Sequence, residues 1–259
     1  EKALLLLVEL TRHNVNREIM GDIPDVFNFL LATTQVAEEL YATHALNILL
    51  NLSIFSTKSQ RAMGQTPGMF TTLLKFINEG TEKESSDVKT KYALGTLHHL
   101  VTHPENQRPM GQTLNMMKTI LTIIIQQESG EGVLTTTAWN TLRELTLVSE
   151  NRKTLKLIPS IFSNLLEIFK KTAHLHIKND VCVLLKKLAA QDLETQKIIV
   201  PILIELRDNP TSSDDMKSMV SNLINELSPA AASSITSTLF APELTEAETS
   251  SEDAIITGP

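Results

Sequence analysis

The sequence predicts an all-α fold: a right-handed solenoid of three-helix repeats, about five of them following a partial first one. Three observations predict it. One apolar helix pattern recurs six times along the 259 residues. A second landmark of nearly the same period falls between the recurrences. Aromatic residues make up only 4% of the chain, which argues against a β-sandwich or barrel, where strands recruit Tyr, Trp and Phe.

The pattern is most legible at Ala-Leu-Asn-Ile-Leu-Leu-Asn-Leu, residues 45–52. Its final Leu recurs as Leu10, Leu52, Leu100, Leu145, Leu188 and Leu227, at spacings of 42, 48, 45, 43 and 39 residues. Helical arrays with two or three helices per unit repeat at about 40–47 residues. Three positions before this anchor stand Leu7, Leu49, Leu97, Leu142, Leu185 and Ile224. Seven before stand the smaller Ala3, Ala45, Ala93, Ala138, Val181 and Val220. These offsets share one stripe of a 3.6-residue helix, so large residues fill the space between units while the small column lets a neighbouring helix come close.

The second landmark reads Asn16-Arg17, Gln60-Arg61, Gln107-Arg108, Asn151-Arg152 and Gln196-Lys197. Three of the five run on to Met-Gly, at Gly21, Gly64 and Gly111. Gly at the end of a short helical turn suits a left-handed stop. Pro24, Pro67 and Pro159 then open the next helix. Each unit reads as a short turn, a middle helix and a longer final helix. The middle helices are expected at 24–33, 67–78, 114–127, 159–171 and 198–208. The final ones are expected at 36–54, 86–102, 133–148, 175–190 and 213–227, and an opening helix at 2–13 stands as a final helix alone. Such an incomplete first unit is expected to expose its apolar stripe at 4–8. The chain opens without Met inside an apolar run, which reads as a fragment of a longer parent.

The Asn/Gln-Arg pair, the Met-Gly, the middle helix and a final helix closing on Ala, Leu and Leu together resemble the armadillo repeat, over roughly residues 2–227. Residues 1–228 are accordingly expected to form an armadillo-like domain. Residues 229–259 carry five acidic residues and no Lys or Arg, and read as an acidic, Ser/Thr-rich, disordered tail. In this family the final helices line a concave groove in which extended peptides bind. Members that bind nuclear-localisation peptides carry an Asn one residue before the anchor and a Trp four residues earlier. Here the first column reads Glu9, Asn51, His99, Glu144, Lys187 and Glu226, and the second holds no Trp, so importin-like cargo is not expected.

Offsets −1, −5 and −8 share the helical face opposite the apolar stripe. They place His44, Asn47, Asn51, Tyr92, His99, Asn140, Glu144, Asp180 and Lys187 along one wall. Asn both donates and accepts, so it can pair with the backbone of an extended ligand, and Tyr92 adds apolar area with a polar tip. The expected function is a non-catalytic scaffold that holds a peptide or helix of a partner protein. The alternative is an architectural or self-associating segment of a larger protein, with the tail as a regulatory or partner-binding motif.

The remaining chemistry is negative or peripheral. No Gly-rich phosphate loop, Gly-x-Ser-x-Gly or His-Glu-x-x-His is present, and neither enzyme activity nor a cofactor is expected. His98, His99 and His103, and separately His174 and His176, lack the Cys or carboxylate company of a metal site. Cys182 and Trp139 share the −6 column with Leu46 and Leu94 and read as core. The net charge of −7 lies mostly in the tail, so no nucleic-acid partner is expected. The longest apolar runs are too short to span a bilayer. A single cysteine excludes an intrachain disulfide and points to a reducing, intracellular compartment, cytoplasm or nucleus. Thr245 and Ser250 lie in acidic clusters that suit phosphorylation.

Overall fold

The computed structural model describes residues 2–23, 25–36, 38–54, 56–82, 88–126, 132–172, 174–190, 192–209 and 213–227. The tail, with Thr245 and Ser250, lies outside them. Among the described residues there are fifteen α-helices and no strand. The opening helix is α1, Lys2–Leu10. Four units follow, each with three helices. They are α2 (Asn14–Gly21), α3 (Val26–Thr34) and α4 (Glu39–Ser53); α5 (Thr57–Gln65), α6 (Met69–Glu82) and α7 (Val88–Val101); α8 (Pro104–Gln112), α9 (Met116–Gln126) and α10 (Val133–Leu145); and α11 (Ser149–Lys156), α12 (Ile161–Lys171) and α13 (Leu175–Ala189). Last come α14, Leu193–Asp208, and α15, Asp214–Leu227.

Contacts divide the chain within α14 into two units, Glu1–Ile199 and Val200–Pro259. In the first, like packs beside like. The final helices α1, α4, α7, α10 and α13 lie side by side, as do the short helices α2, α5, α8 and α11, and α6 lies beside α9. The arrangement is an all-α solenoid. In the second unit Val200, Leu203 and Leu206 of α14 and Val220, Leu223, Ile224 and Leu227 of α15 are buried.

The three apolar columns pack as their spacing predicts. Ala45, Ala93, Ala138 and Val181, the Leu residues at 49, 97, 142 and 185, and the anchors at 52, 100, 145 and 188 are all fully buried. In α1 the packed face is rotated: Leu4, Val8 and Thr11 are buried, and Leu5, Leu6 and Leu10 are exposed. Within the expected stripe at 4–8, Leu5 and Leu6 are exposed as anticipated, while Leu4 and Val8 are buried. Helix α1 packs mainly against α4 and buries the side turned towards it.

The Asn/Gln-Arg landmark has a structural job. A final helix ends with carbonyls that its own ladder cannot satisfy, and an amide six or seven residues on donates to one of them. Asn16 Nδ2 donates to the carbonyl of Leu10 at 3.0 Å, Gln60 Nε2 to Ser53 at 2.8 Å, Asn151 Nδ2 to Leu145 at 3.0 Å and Gln196 Nε2 to Ala189 at 3.1 Å. In the third unit Asn106 takes this role, donating to Leu100 at 2.9 Å. Arg17 and Arg152 donate to the next carbonyls, Thr11 and Arg12 in one case and Thr146 and Leu147 in the other. The same short helices are tied across units by surface ion pairs, Lys58–Asp22, Arg61–Glu105, Arg108–Glu150 and Lys156–Asp192. Hydrogen bonds from Lys156 and Thr195 hold the Asp192 carboxyl well below the usual carboxylate range.

Two local expectations are corrected. Gly21, Gly64 and Gly111 are not left-handed stops. A Cβ on Gly21 would overlap the Ser59 hydroxyl, one on Gly64 the Asn106 amide and one on Gly111 the Asn151 amide, so these glycines serve close approach between successive short helices. The left-handed residue sits four positions further on, at Asp25, Gly68, Asn115 and Ser160, and its carbonyl accepts from the fourth residue of the middle helix. Asp and Asn tolerate this conformation better than most residues, which is why the sequence hid it. In the fifth unit the short segment and the middle helix are one continuous element, α14, with Pro201 inside it. The positions equivalent to the left-handed residue hold Ile204 and Glu205, which do not favour that turn.

Candidate functional site

The nine predicted wall residues all lie in the first unit, on α4, α7, α10 and α13. Every one of them is half-buried. Their fully buried column-mates on the other side of each helix anchor the four helices side by side, and so fix these positions in a row. Val183, at the −5 position of α13, is the exposed member of this face, and at Gly95, the same position of α7, Leu50 comes so close that an added Cβ would lie 3.0 Å from its Cδ1.

The side chains divide into committed and uncommitted groups. Asn51 Nδ2 donates to Thr11 Oγ1 at 3.1 Å, and Thr11 in turn donates to the Val8 carbonyl at 2.9 Å. The one ladder position that keeps the family's Asn is thus engaged with the turn after α1. Glu144 pairs with Arg143 at 3.7 Å. By contrast, the side chains of Asn47, Tyr92, Asn140, Asp180 and Lys187 make no hydrogen bond or ion pair among the described residues. None of their polar atoms is among the buried unmatched ones, so these groups face water and are free to bond a ligand.

Electrostatics concentrate at the α10–α13 end. Burial lowers the Lys187 ammonium from its ordinary value, and Arg152 and Arg143 add to the effect while Glu144 and Asp180 oppose it. His98 is also lowered by burial, against the pull of Glu144. His99 is pushed down to about 4, chiefly by burial and then by His98, whose ring centroid lies 5.5 Å away. Both rings are therefore neutral near pH 7. The ring atoms His44 Nε2, His98 Nδ1 and His103 Nδ1 are buried without a partner among the described residues. Glu144 supplies His98 with carboxylate company from another helix, which the sequence did not reveal. Among the described residues no group of three or more His, Cys, Asp or Glu is placed to hold a metal. Cys182 is half-buried rather than in the core, whereas Trp139 is 4% exposed.

A pH dependence follows. The unfolded chain protonates His99 near 6.5 and the folded chain only near 4, so between those values the unfolded state binds more protons. The stabilisation is complete above about pH 6.5 and is lost as pH falls towards 4. Melting temperature is expected to fall with pH across that window, and His99→Gln to flatten the slope. An unchanged slope would show that His99 does not carry it.

No family model and no curated protein matches the sequence. Solved structures do match. A computationally designed armadillo repeat protein for modular peptide recognition has a TM-score of 0.65 at 12% identity, over 87% of this chain and 92% of that one. A second designed armadillo repeat protein gives 0.61 at 14% identity over the same shares. A third, in complex with the peptide (KR)4, gives 0.61 at 11% identity, again over 87% and 92%. At these identities the likeness is one of fold. Among the described residues no helix is long and apolar enough to cross a membrane. The fold is an armadillo-like helical repeat.

Proposed function

We propose that this protein is a non-catalytic, intracellular scaffold that holds an extended peptide or a helix of a partner protein against the wall formed by α4, α7, α10 and α13. The observation that carries this reading is the row of half-buried side chains with unspent hydrogen-bonding capacity: Asn47, Tyr92, Asn140, Asp180 and Lys187. Extended concave surfaces are what stacked repeats offer a ligand, and two of the structural neighbours are named for peptide recognition or carry a peptide. The test is affinity capture by the full chain and by a Glu144→Lys, Lys187→Glu double variant, with partners identified by mass spectrometry. Reversing partly desolvated charges should weaken capture about tenfold or more while the melting temperature is preserved. Undiminished capture by a folded variant would move the site elsewhere.

The self-associating alternative is favoured by a different observation: Leu6, Leu10, Val15 and Ile19 of the first unit are exposed. Sedimentation that stays monomeric as concentration rises would remove it. A regulatory role for the acidic tail concerns residues outside the described ones, and deletion of residues 229–259 without effect on partner affinity would count against it.

A further inference from the structure

The α10–α13 end of the wall holds positive charge that the fold leaves unmatched. The Arg of the repeating Asn/Gln-Arg pair makes this visible. Arg61 pairs with Glu105 at 2.9 Å and Arg108 with Glu150 at 3.9 Å, each across to the next short helix. The residue that would serve Arg152 in the same way, 45 positions after Glu150, is Thr195. Thr195 is buried and donates to Asp192, which in turn pairs with Lys156 at 2.6 Å. Arg152 therefore has no carboxylate partner among the described residues. It donates through Nη1 alone, to the carbonyls of Thr146 and Leu147 at 2.8 and 3.0 Å. Its Nε and Nη2 are not among the buried unmatched atoms, so that edge of the guanidinium is unused and meets water.

Lys187 lies within electrostatic reach of this edge. After burial itself, Arg152 is the strongest influence lowering the Lys187 ammonium, ahead of the opposing Glu144. The ammonium makes no hydrogen bond or ion pair among the described residues, and it too is open to water. Two half-buried cations this close repel each other, because partial burial weakens the screening that water supplies. The nearby acids do not cancel them. Glu144 pairs with Arg143 at 3.7 Å. Asp180 stands seven residues before Lys187 on α13, about 10 Å away along the helix axis.

We propose that Lys187 and the unused edge of Arg152 form a site for a carboxylate side chain, an Asp or Glu of the bound partner, at the α10–α13 end of the wall. The proposal rests on the peptide-wall reading and adds to it the sign of the partner's charge. The Arg edge presents Nε–H and Nη2–H side by side, the geometry that takes both oxygens of a carboxylate, and the Lys ammonium adds a further donor. A carboxylate seated there supplies the missing anion and relieves the repulsion between the two cations. A Lys or Arg of the partner would add a third like charge. Asn47, Tyr92 and Asn140, further along the wall, are uncharged near pH 7, so selection by charge falls to this end. The net charge of −7 opposes acidic peptides at long range, so a preference for one reports a local site.

The test uses the full chain and three labelled octapeptides, (Ser-Glu)4, (Ser-Gln)4 and (Ser-Lys)4, with binding read by fluorescence anisotropy at low salt. The Glu peptide is expected to bind about fivefold or more tightly than its uncharged isostere, the Gln peptide, and the Lys peptide most weakly. Lys187→Gln should melt like the wild type and bring the Glu peptide to within about twofold of the Gln peptide, whose own affinity stays unchanged. Arg152→Gln should act in the same direction. Because Arg152 also bonds the carbonyls after α10, Lys187→Gln decides if the Arg152 variant does not fold. Equal affinities for the Glu and Gln peptides, or a Glu preference that survives in Lys187→Gln, would overturn the carboxylate site. In that event, weakening of both peptides by a folded Asn47→Ala, Asn140→Ala variant would leave the wall itself standing. Binding of none of the three octapeptides would overturn both readings.

Discussion

Replacing Leu100 by Ala is expected to destabilise the protein by about 2–5 kcal/mol, measured as a lower denaturation midpoint at constant slope. Leu100 is fully buried at the close of α7, where α4 and α10 flank the helix. Truncation there removes apolar contact and leaves a cavity that helices held on both sides cannot collapse to fill. The informative control is Leu10→Ala. Leu10 occupies the same column of the same pattern but is 39% exposed, because α1 is covered on one side. Its truncation should cost roughly 1 kcal/mol, since much of the removed surface is already in water. Equal costs at the two positions would show that the column does not pack as the repeat requires.

The second large effect is expected at Gly111. Its methyl group, if one were added, would occupy the space of the Asn151 amide. Asn151 is fully buried and donates to two carbonyls, Gln107 at 2.8 Å across the unit boundary and Leu145 at 3.0 Å at the end of α10. Gly111→Ala must displace that amide, and each buried acceptor left unmet costs about 1–3 kcal/mol. A loss of about 3 kcal/mol or more is expected, despite the gain of about 1 kcal/mol that Ala normally brings over Gly within a helix. Asn151→Ala alone should cost about 2–3 kcal/mol for the same lost bonds. In the double variant the methyl meets vacated space, so the combined cost should be close to that of Asn151→Ala alone. Strictly additive costs in this double-mutant cycle would exclude the clash as the cause. The same logic applies to Gly64 and Asn106, whose amide donates to the Gln60 carbonyl across the preceding boundary.

Much of this was legible from spacing. A helix has a fixed period, so residues three and seven before each anchor must share its face, and the burial of those columns follows from arithmetic on the sequence. The Asn/Gln-Arg pair was visible as a landmark for the same reason, but not its purpose. Capping of a helix end by an amide six or seven residues later depends on the turn between them. The glycines were misread because a small residue near a helix end has two physical explanations, backbone conformation and close approach. Only the position of Ser59, Asn106 and Asn151 on the neighbouring helix separates them.

The wall of the candidate site shows the same division. The sequence by itself determined that His44, Asn47, Asn51, Tyr92, His99, Asn140, Glu144, Asp180 and Lys187 stand opposite the packed stripe, because helical geometry leaves no other place for those offsets. Only the tertiary structure decided which of them are spent: Asn51 on Thr11, 40 residues away in the chain, and Glu144 on Arg143 beside His98 and Lys187. It also decided that Trp139, a core residue by its column, buries its N–H without a partner among the described residues. Periodicity fixes which way a side chain points from its own helix. What it meets there is set by side chains of other helices, whose distances no single period encodes.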